Sequence, residues 1–185
     1  MTIKLIYSFL ILIMVYSCRQ ENHTRTYRIT KSKPLLQTSP SQTTENKSSD
    51  FSWTKPRSWI ASSGSSMRIA SFDVPYSNGI GDLSVIQLGG DGGGIEANVN
   101  RWRRQLNLES QSLEDIEKDL IKHKGGLGIF EEIQIINEEL DSAFLCAILP
   151  AGNQTLFVKL SIHPNGLRDI KTEFISFCSS INFSI

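Results

Sequence analysis

The run Gly89-Gly90-Asp91-Gly92-Gly93-Gly94 is where the residue types of this sequence could do chemistry. It joins an alternating strand pattern to a helical one, a setting in which backbone N–H groups and the positive end of a helix hold anions. The helical pattern places Asn98 and Arg101 beside its apolar stripe, where a side chain reaches the edge of a groove. Asp91, Gly92, Gly93, Gly94, Asn98 and Arg101 are therefore the candidate ligand-binding residues, and a small anion is the ligand they would take. The same glycines also read as a plain turn, supplying positive φ and close packing while Asp91 bonds locally. No Gly-Lys-Ser/Thr follows them, and Ile95 stands where a dinucleotide fingerprint begun at Gly90 needs its last glycine. Neither a P-loop nor a dinucleotide site is therefore expected.

Other candidates for chemistry are thinner. Arg101, Arg103 and Arg104 around Trp102 form either a recognition patch for carboxylates and phosphates or the basic outer face of a helix whose Trp102 fills the core. His123, between Lys122 and Lys124, reads as a loop residue, and His163 precedes Pro164 at a strand end; neither has a cysteine or carboxylate at ligand spacing. Gly64-Ser65-Ser66 departs from the nucleophile elbow, and Glu131-Glu132 and Glu138-Glu139 read as solvated charge. No catalytic residue, cofactor or metal is expected.

Composition narrows the function class. Nineteen Lys and Arg balance nineteen Asp and Glu, so no bulk electrostatic attraction to nucleic acid is expected. Beyond Cys18 the chain has two cysteines, Cys146 and Cys178, too few for a disulfide framework. Both sit in apolar patterns, as buried free thiols or as one disulfide.

The elements that must position these residues are legible from Phe51 onward. Trp53 to Trp59, with Pro56 inside it, predicts an edge strand and turn. Met67 to Val74 predicts a strand stopping at Pro75, the turn Tyr76-Ser77-Asn78-Gly79 carries the Asn-Gly hairpin signal, and Asp82 to Leu88 is the return strand. Ile95, Val99, Trp102 and Leu106 form one stripe of a helical period, which leaves Glu96, Asn100, Arg103 and Arg104 exposed. Ser112 caps a second helix through Ile116 and Leu120. Strands follow over Ile129 to Ile136, Ser142 to Leu149 and Thr155 to His163. A last helix capped by Asn165 carries Leu167, Ile170, Phe174 and Phe177 or Cys178 inward, and Ile181 to Ile185 closes as a short strand. Antiparallel hairpins interrupted by helices predict an α+β fold, an antiparallel sheet with helices packed on it.

At the N-terminus, Lys4 precedes the apolar run Leu5 to Val15, which is shorter than the roughly 20 residues a bilayer core requires. The tetrapeptide Val15-Tyr16-Ser17-Cys18 resembles the lipobox of bacterial lipoproteins, which implies cleavage before Cys18 and its acylation. The expected organisation is a signal peptide over 1–17, a lipidated Cys18 with a polar, disordered linker to 50, and a single globular domain over 51–185. The implied location is the bacterial cell envelope. Arg19 occupies the position where aspartate would resemble an inner-membrane retention signal, which favours the outer membrane.

Phe51-Ser52-Trp53-Thr54-Lys55-Pro56 with Trp59, the following hairpin, and Phe157-Val158-Lys159 ahead of Phe174-Ile175-Ser176-Phe177 resemble the PsbP/Mog1-like α/β/α sandwich. The block from Arg68-Ile69-Ala70-Ser71-Phe72 through Gly92-Gly93-Gly94 to Asn100-Arg101-Trp102-Arg103 resembles predicted bacterial lipoproteins of unknown function. Members of the PsbP/Mog1-like group are accessory and binding proteins, so the resemblance implies a non-catalytic module that binds an envelope protein or a small anionic ligand. The alternative is an envelope enzyme whose glycine loop, with Arg101 or Arg104, stabilises an anion.

Overall fold

The computed structural model describes residues 50–184; the expected signal peptide, Cys18 and nearly all of the linker lie outside them. Strands β2 (Ile60–Ala61), β3 (Arg68–Tyr76), β4 (Gly79–Gly89), β5 (Ile121–Gly125), β6 (Gly128–Asn137), β7 (Ser142–Ala151) and β8 (Gln154–Ile162) form a seven-stranded sheet in the order β2-β3-β4-β8-β7-β6-β5. Every neighbouring pair is antiparallel. The outer pair β1 (Phe51–Ser52) and β9 (Asn182–Phe183) forms a separate two-stranded ladder. Helices α1 (Ile95–Gln105) and α2 (Leu113–Asp119) link β4 to β5, and α3 (Leu167–Ser180) follows β8 through a short 3₁₀ turn, Pro164–Gly166.

The two-residue period of the strands divides the core between two faces. Leu83, Val85, Leu145, Leu149, Val158 and Leu160 pack with Ile170, Phe174 and Phe177 of α3. Phe144, Cys146, Ile148 and Phe157 face the other way, onto Val99, Trp102 and Leu106 of the α1 stripe and Ile116 of α2. The result is an α/β/α sandwich. Strand β7 lies under helices on both faces, which is why Ala143 to Leu149 is a continuous apolar run and not an alternating one.

Several sequence expectations are corrected. Trp53 to Trp59 is not a strand: the Trp59 N–H donates to the Pro56 carbonyl in a turn, and the edge strand is Ile60–Ala61. Trp59 is drawn inward instead, buried against Phe72 and Phe177. Strand β3 runs through Pro75 to Tyr76, because Tyr76 pairs with Gly79 across a two-residue turn and Pro75 with Ile80 beyond it. That second position is a non-hydrogen-bonded pair, and β2 reaches only Phe72 and Asp73 on the outer side, so the missing proline N–H costs no ladder bond. Asn165 does not cap the last helix; its N–H donates to His163 Nδ1 across the 3₁₀ turn that Pro164 opens. Asn100 is buried, not exposed.

His123 lies in β5 opposite Phe130, not in a loop. The Gly125 to Gly128 hairpin tucks under the end of α3, where the Gly126 N–H donates to the Ser179 carbonyl at 2.8 Å. A Cβ at Gly125 would lie 2.8 Å from Ser179 Cα, so that approach requires glycine. Cys146 and Cys178 lie on opposite faces of the sheet and are free thiols. Burial pushes both thiols well above the ordinary cysteine range.

Candidate functional site

The glycine run is built as a turn that satisfies itself. Gly90, Gly92, Gly93 and Gly94 have φ of 60°, 63°, 94° and 82°, the left-handed region that side chains avoid. Gly90 N–H donates to the Asn153 carbonyl, Gly92 N–H to Gly89, Gly94 N–H to Asp91, and Gly93 N–H to Asp91 Oδ1 at 2.9 Å. Asn98 is buried, and its Nδ2 donates to the carbonyls of Gly92 at 3.0 Å and Gly94 at 2.7 Å, bracing the loop against α1. Four backbone donors that could cradle an anion are thus engaged within the protein. At Gly92 a Cβ would also lie 2.4 Å from the Phe157 ring.

Asn100 works similarly, with Nδ2 donating to the Gln111 carbonyl and Oδ1 accepting the Gln111 N–H, which ties α1 to the segment entering α2. Ser112 caps α2 as its sequence predicts, accepting the Asp115 N–H at 3.2 Å.

One turn beyond Asn98, Arg101 reaches the rim of a cleft of about 130 Å³ between α1 and strands β4 and β8. Its walls are Met67, Ile86, Leu88, Trp102 and Phe157. The Trp102 and Phe157 rings meet edge to face at 6.1 Å, which fixes the wall shared by helix and sheet. Lys159 supplies the inner cation: its Nζ donates to Gln105 Oε1 at 2.8 Å and lies 4.3 Å from the centroid of the Phe144 ring. Burial disfavours the charged ammonium and lowers its pKa from the ordinary lysine value. The structure therefore brings Asn98 and Arg101 to a cleft and leaves Asp91, Gly92, Gly93 and Gly94 in the neighbouring turn. Lys159 escapes sequence reasoning because it belongs to β8, fifty-four positions from its partner Gln105. The available signal is a lone cation in the apolar run Leu156 to Leu160.

A larger cleft of about 330 Å³ lies beside the β2–β3 edge, bordered by Trp53, Lys55 and Arg68. Its cations already have partners. Lys55 Nζ donates to the carbonyls of Pro56 and Trp59, and Arg68 makes two parallel bonds to Asp82 at 2.8 and 2.9 Å. That pairing holds the Asp82 carboxyl below its usual range.

Glu132 corrects the reading of Glu131-Glu132 as solvated charge, since its side chain is fully buried beneath α3. Its Oε2 lies 3.0 Å from His123 Nε2, and its Oε1 lies 3.2 Å from Lys171 Nζ and accepts from Gln134 Nε2 at 3.1 Å. His123 also stacks on Phe130 at 5.2 Å. The cluster joins β5, β6 and α3, and both carboxylate oxygens are occupied by these partners, so its evident role is to hold the helix on the sheet. His163 likewise has a carboxylate within 3.5 Å, that of Asp141. Among the described residues no group of three or more His, Cys, Asp or Glu side chains could hold a metal ion.

Fold and site together define an α+β sandwich with a cation-bearing apolar cleft beside its first helix. The chain is similar to cyanobacterial PsbP (CyanoP) of Synechocystis sp. PCC 6803, with a TM-score of 0.48 and 14% identity over 73% of this chain and 87% of that one. It is also similar to a Bacteroides thetaiotaomicron VPI-5482 protein, with a TM-score of 0.48 and 14% identity over 74% of this chain. The chain spans 46% of the length of that protein. Neither likeness extends to partners or activity. No family profile and no curated protein matches the sequence.

Proposed function

We propose that the protein is a lipid-anchored lipoprotein of the bacterial cell envelope, held at the outer membrane through Cys18, whose globular part is a non-catalytic module that binds a ligand in the cleft beside α1. The observation that carries the binding role is the cleft itself. Half-exposed apolar side chains, Leu88 and Ile86 among them, surround a lysine ammonium, a combination that recognises shape and charge. The glycine turn gives an enzymatic reading little support, because its donors are engaged internally. The anchoring role rests on Lys4, the apolar run Leu5 to Val15 and the lipobox-like tetrapeptide ending in Cys18. Among the described residues no helix is long and apolar enough to cross a membrane. Acyl chains on Cys18 would provide a stable attachment, each buried CH₂ contributing about 0.8 kcal/mol.

Anchoring is tested by metabolic labelling. The wild-type chain incorporates labelled palmitate and fractionates with membranes, whereas Cys18→Ser incorporates none and leaves the membrane fraction. Equal labelling of the two chains would refute the anchor. Binding is tested with benzyl alcohol, a neutral aromatic probe, added to the full chain while the NMR signals of Met67, Leu88 and Phe157 are followed. Saturable shifts that Leu88→Arg abolishes support the cleft. Shifts that are absent, or that survive this substitution, remove it as a binding site.

A further inference from the structure

The charge pairing around the cleft narrows the class of ligand it would select. Four other cations on the sheet and helices pair with carboxylates: Arg68 with Asp82, Lys171 with Glu132, Lys122 with Glu131, and Lys118 with Glu114 and Asp115. Lys159 is half-buried, yet its direct contacts are a neutral amide, Gln105, and the face of Phe144. The nearby Asp82 carboxylate is taken up by both guanidinium nitrogens of Arg68. Partial burial disfavours an ammonium whose direct contacts carry no negative charge, and a charge-assisted bond from a bound anion offsets that cost.

The walls add a second requirement. Met67 is 66% exposed, and Ile86 and Leu88 are half-buried, so apolar surface at the mouth stands uncovered beside the cation. A simple inorganic anion would pair with Lys159 and leave that surface wet. A neutral apolar molecule would cover it and leave the ammonium unpaired. Only a molecule carrying both features satisfies both groups, and the volume of about 130 Å³ limits its body to about the size of one aromatic ring or a short acyl chain.

Resting on the reading of this cleft as a binding site, we infer that it takes a small amphipathic carboxylate, with the apolar body against Met67, Leu88 and Phe157 and the anionic end on Lys159 Nζ. Arg101 stands at the rim, where its exposed guanidinium adds attraction as the ligand approaches.

The test uses 3-phenylpropionate and its neutral isostere 3-phenylpropionamide, titrated into the full chain by calorimetry, with acetate as an anion lacking the apolar body. The carboxylate is expected to bind at least about tenfold more tightly than the amide, the scale of one charge-assisted hydrogen bond. Acetate is expected not to saturate. Lys159→Gln should remove the preference for phenylpropionate over the amide, bringing the two affinities together. Equal affinity for carboxylate and amide overturns the inference but leaves the cleft as a binding site. Acetate binding as tightly as phenylpropionate, or a Lys159→Gln chain that still prefers the carboxylate, overturns it as well. If neither phenyl compound binds, the inference fails, and the benzyl alcohol titration decides separately whether the cleft binds anything apolar.

Discussion

Trp59→Ala is expected to lower the unfolding free energy by about 3–5 kcal/mol, the range for deleting a large buried aromatic. The side chain is 1% exposed, and its ring lies 5.1 Å from Phe177 and 6.1 Å from Phe72. It thereby clamps the segment leading into β2 against β3 and α3. Its indole N–H also donates to Glu173 Oε2 of α3 at 3.0 Å. Trp59→Phe keeps most of the ring contacts and loses this bond, so its cost should fall near 1 kcal/mol. Trp53 meets Phe177 only edge-on at 6.3 Å and is half-buried, so Trp53→Ala should cost distinctly less than Trp59→Ala. Urea unfolding of the three variants measures the series. A Trp59→Ala loss within about 1 kcal/mol of wild type, the usual range for surface substitutions, would show that this aromatic cluster does not hold the entry segment.

The second large effect concerns Glu132. Replacing His123 and Lys171 together with alanine leaves a fully buried carboxylate with Gln134 as its remaining side-chain partner. Breaking a buried ion cluster from one side typically costs about 3–5 kcal/mol, because the remaining charge stays desolvated. Some relief is available here, since Lys171 and His123 are themselves partly exposed and water can enter where they stood. Adding Glu132→Gln to the double variant should therefore recover a large part of the loss, the neutral amide needing no counter-charge. In the wild-type background Glu132→Gln should instead destabilise, because it leaves His123 and Lys171 facing a neutral group. This reversal of sign between backgrounds is the measurement that matters. If Glu132→Gln destabilises equally in both, the cluster acts through packing and not through charge.

Local pattern in the sequence carried much of the fold. Ile95, Val99, Trp102 and Leu106 form one stripe because a helix repeats about every 3.6 residues, and α1 buries its last three members in one cluster. Ser77-Asn78 forms the turn between β3 and β4, and Ser112 caps α2, since both signals act over only a few residues. The failures share a cause. Pro75 signals a strand end unless its ring nitrogen faces an open edge where no ladder bond is due, and Asn100 reads as exposed unless Gln111 arrives to bond both ends of its amide. Trp59 reads as part of a strand because its pull toward Phe177 comes from a helix more than a hundred positions away.

The candidate site divides along the same line. Asn98 and Arg101 were legible from the helical period, whereas Lys159 and Phe157 join them only because β8 lies beside β4 in the sheet. Glu132 looks solvated in the sequence because an adjacent glutamate accompanies it. Its burial depends on His123 from β5 and Lys171 from α3 converging on it. The sequence by itself thus determined the α+β class, the inward stripes of the helices and the glycines of the turn after β4, all consequences of backbone preference and apolar period within one segment. Only the tertiary structure decided which ions pair, which lysine is left beside an apolar cleft, and that the glycine turn satisfies its own donors. Those outcomes depend on groups brought together across strands, where desolvation and distance act with no regard to spacing along the chain.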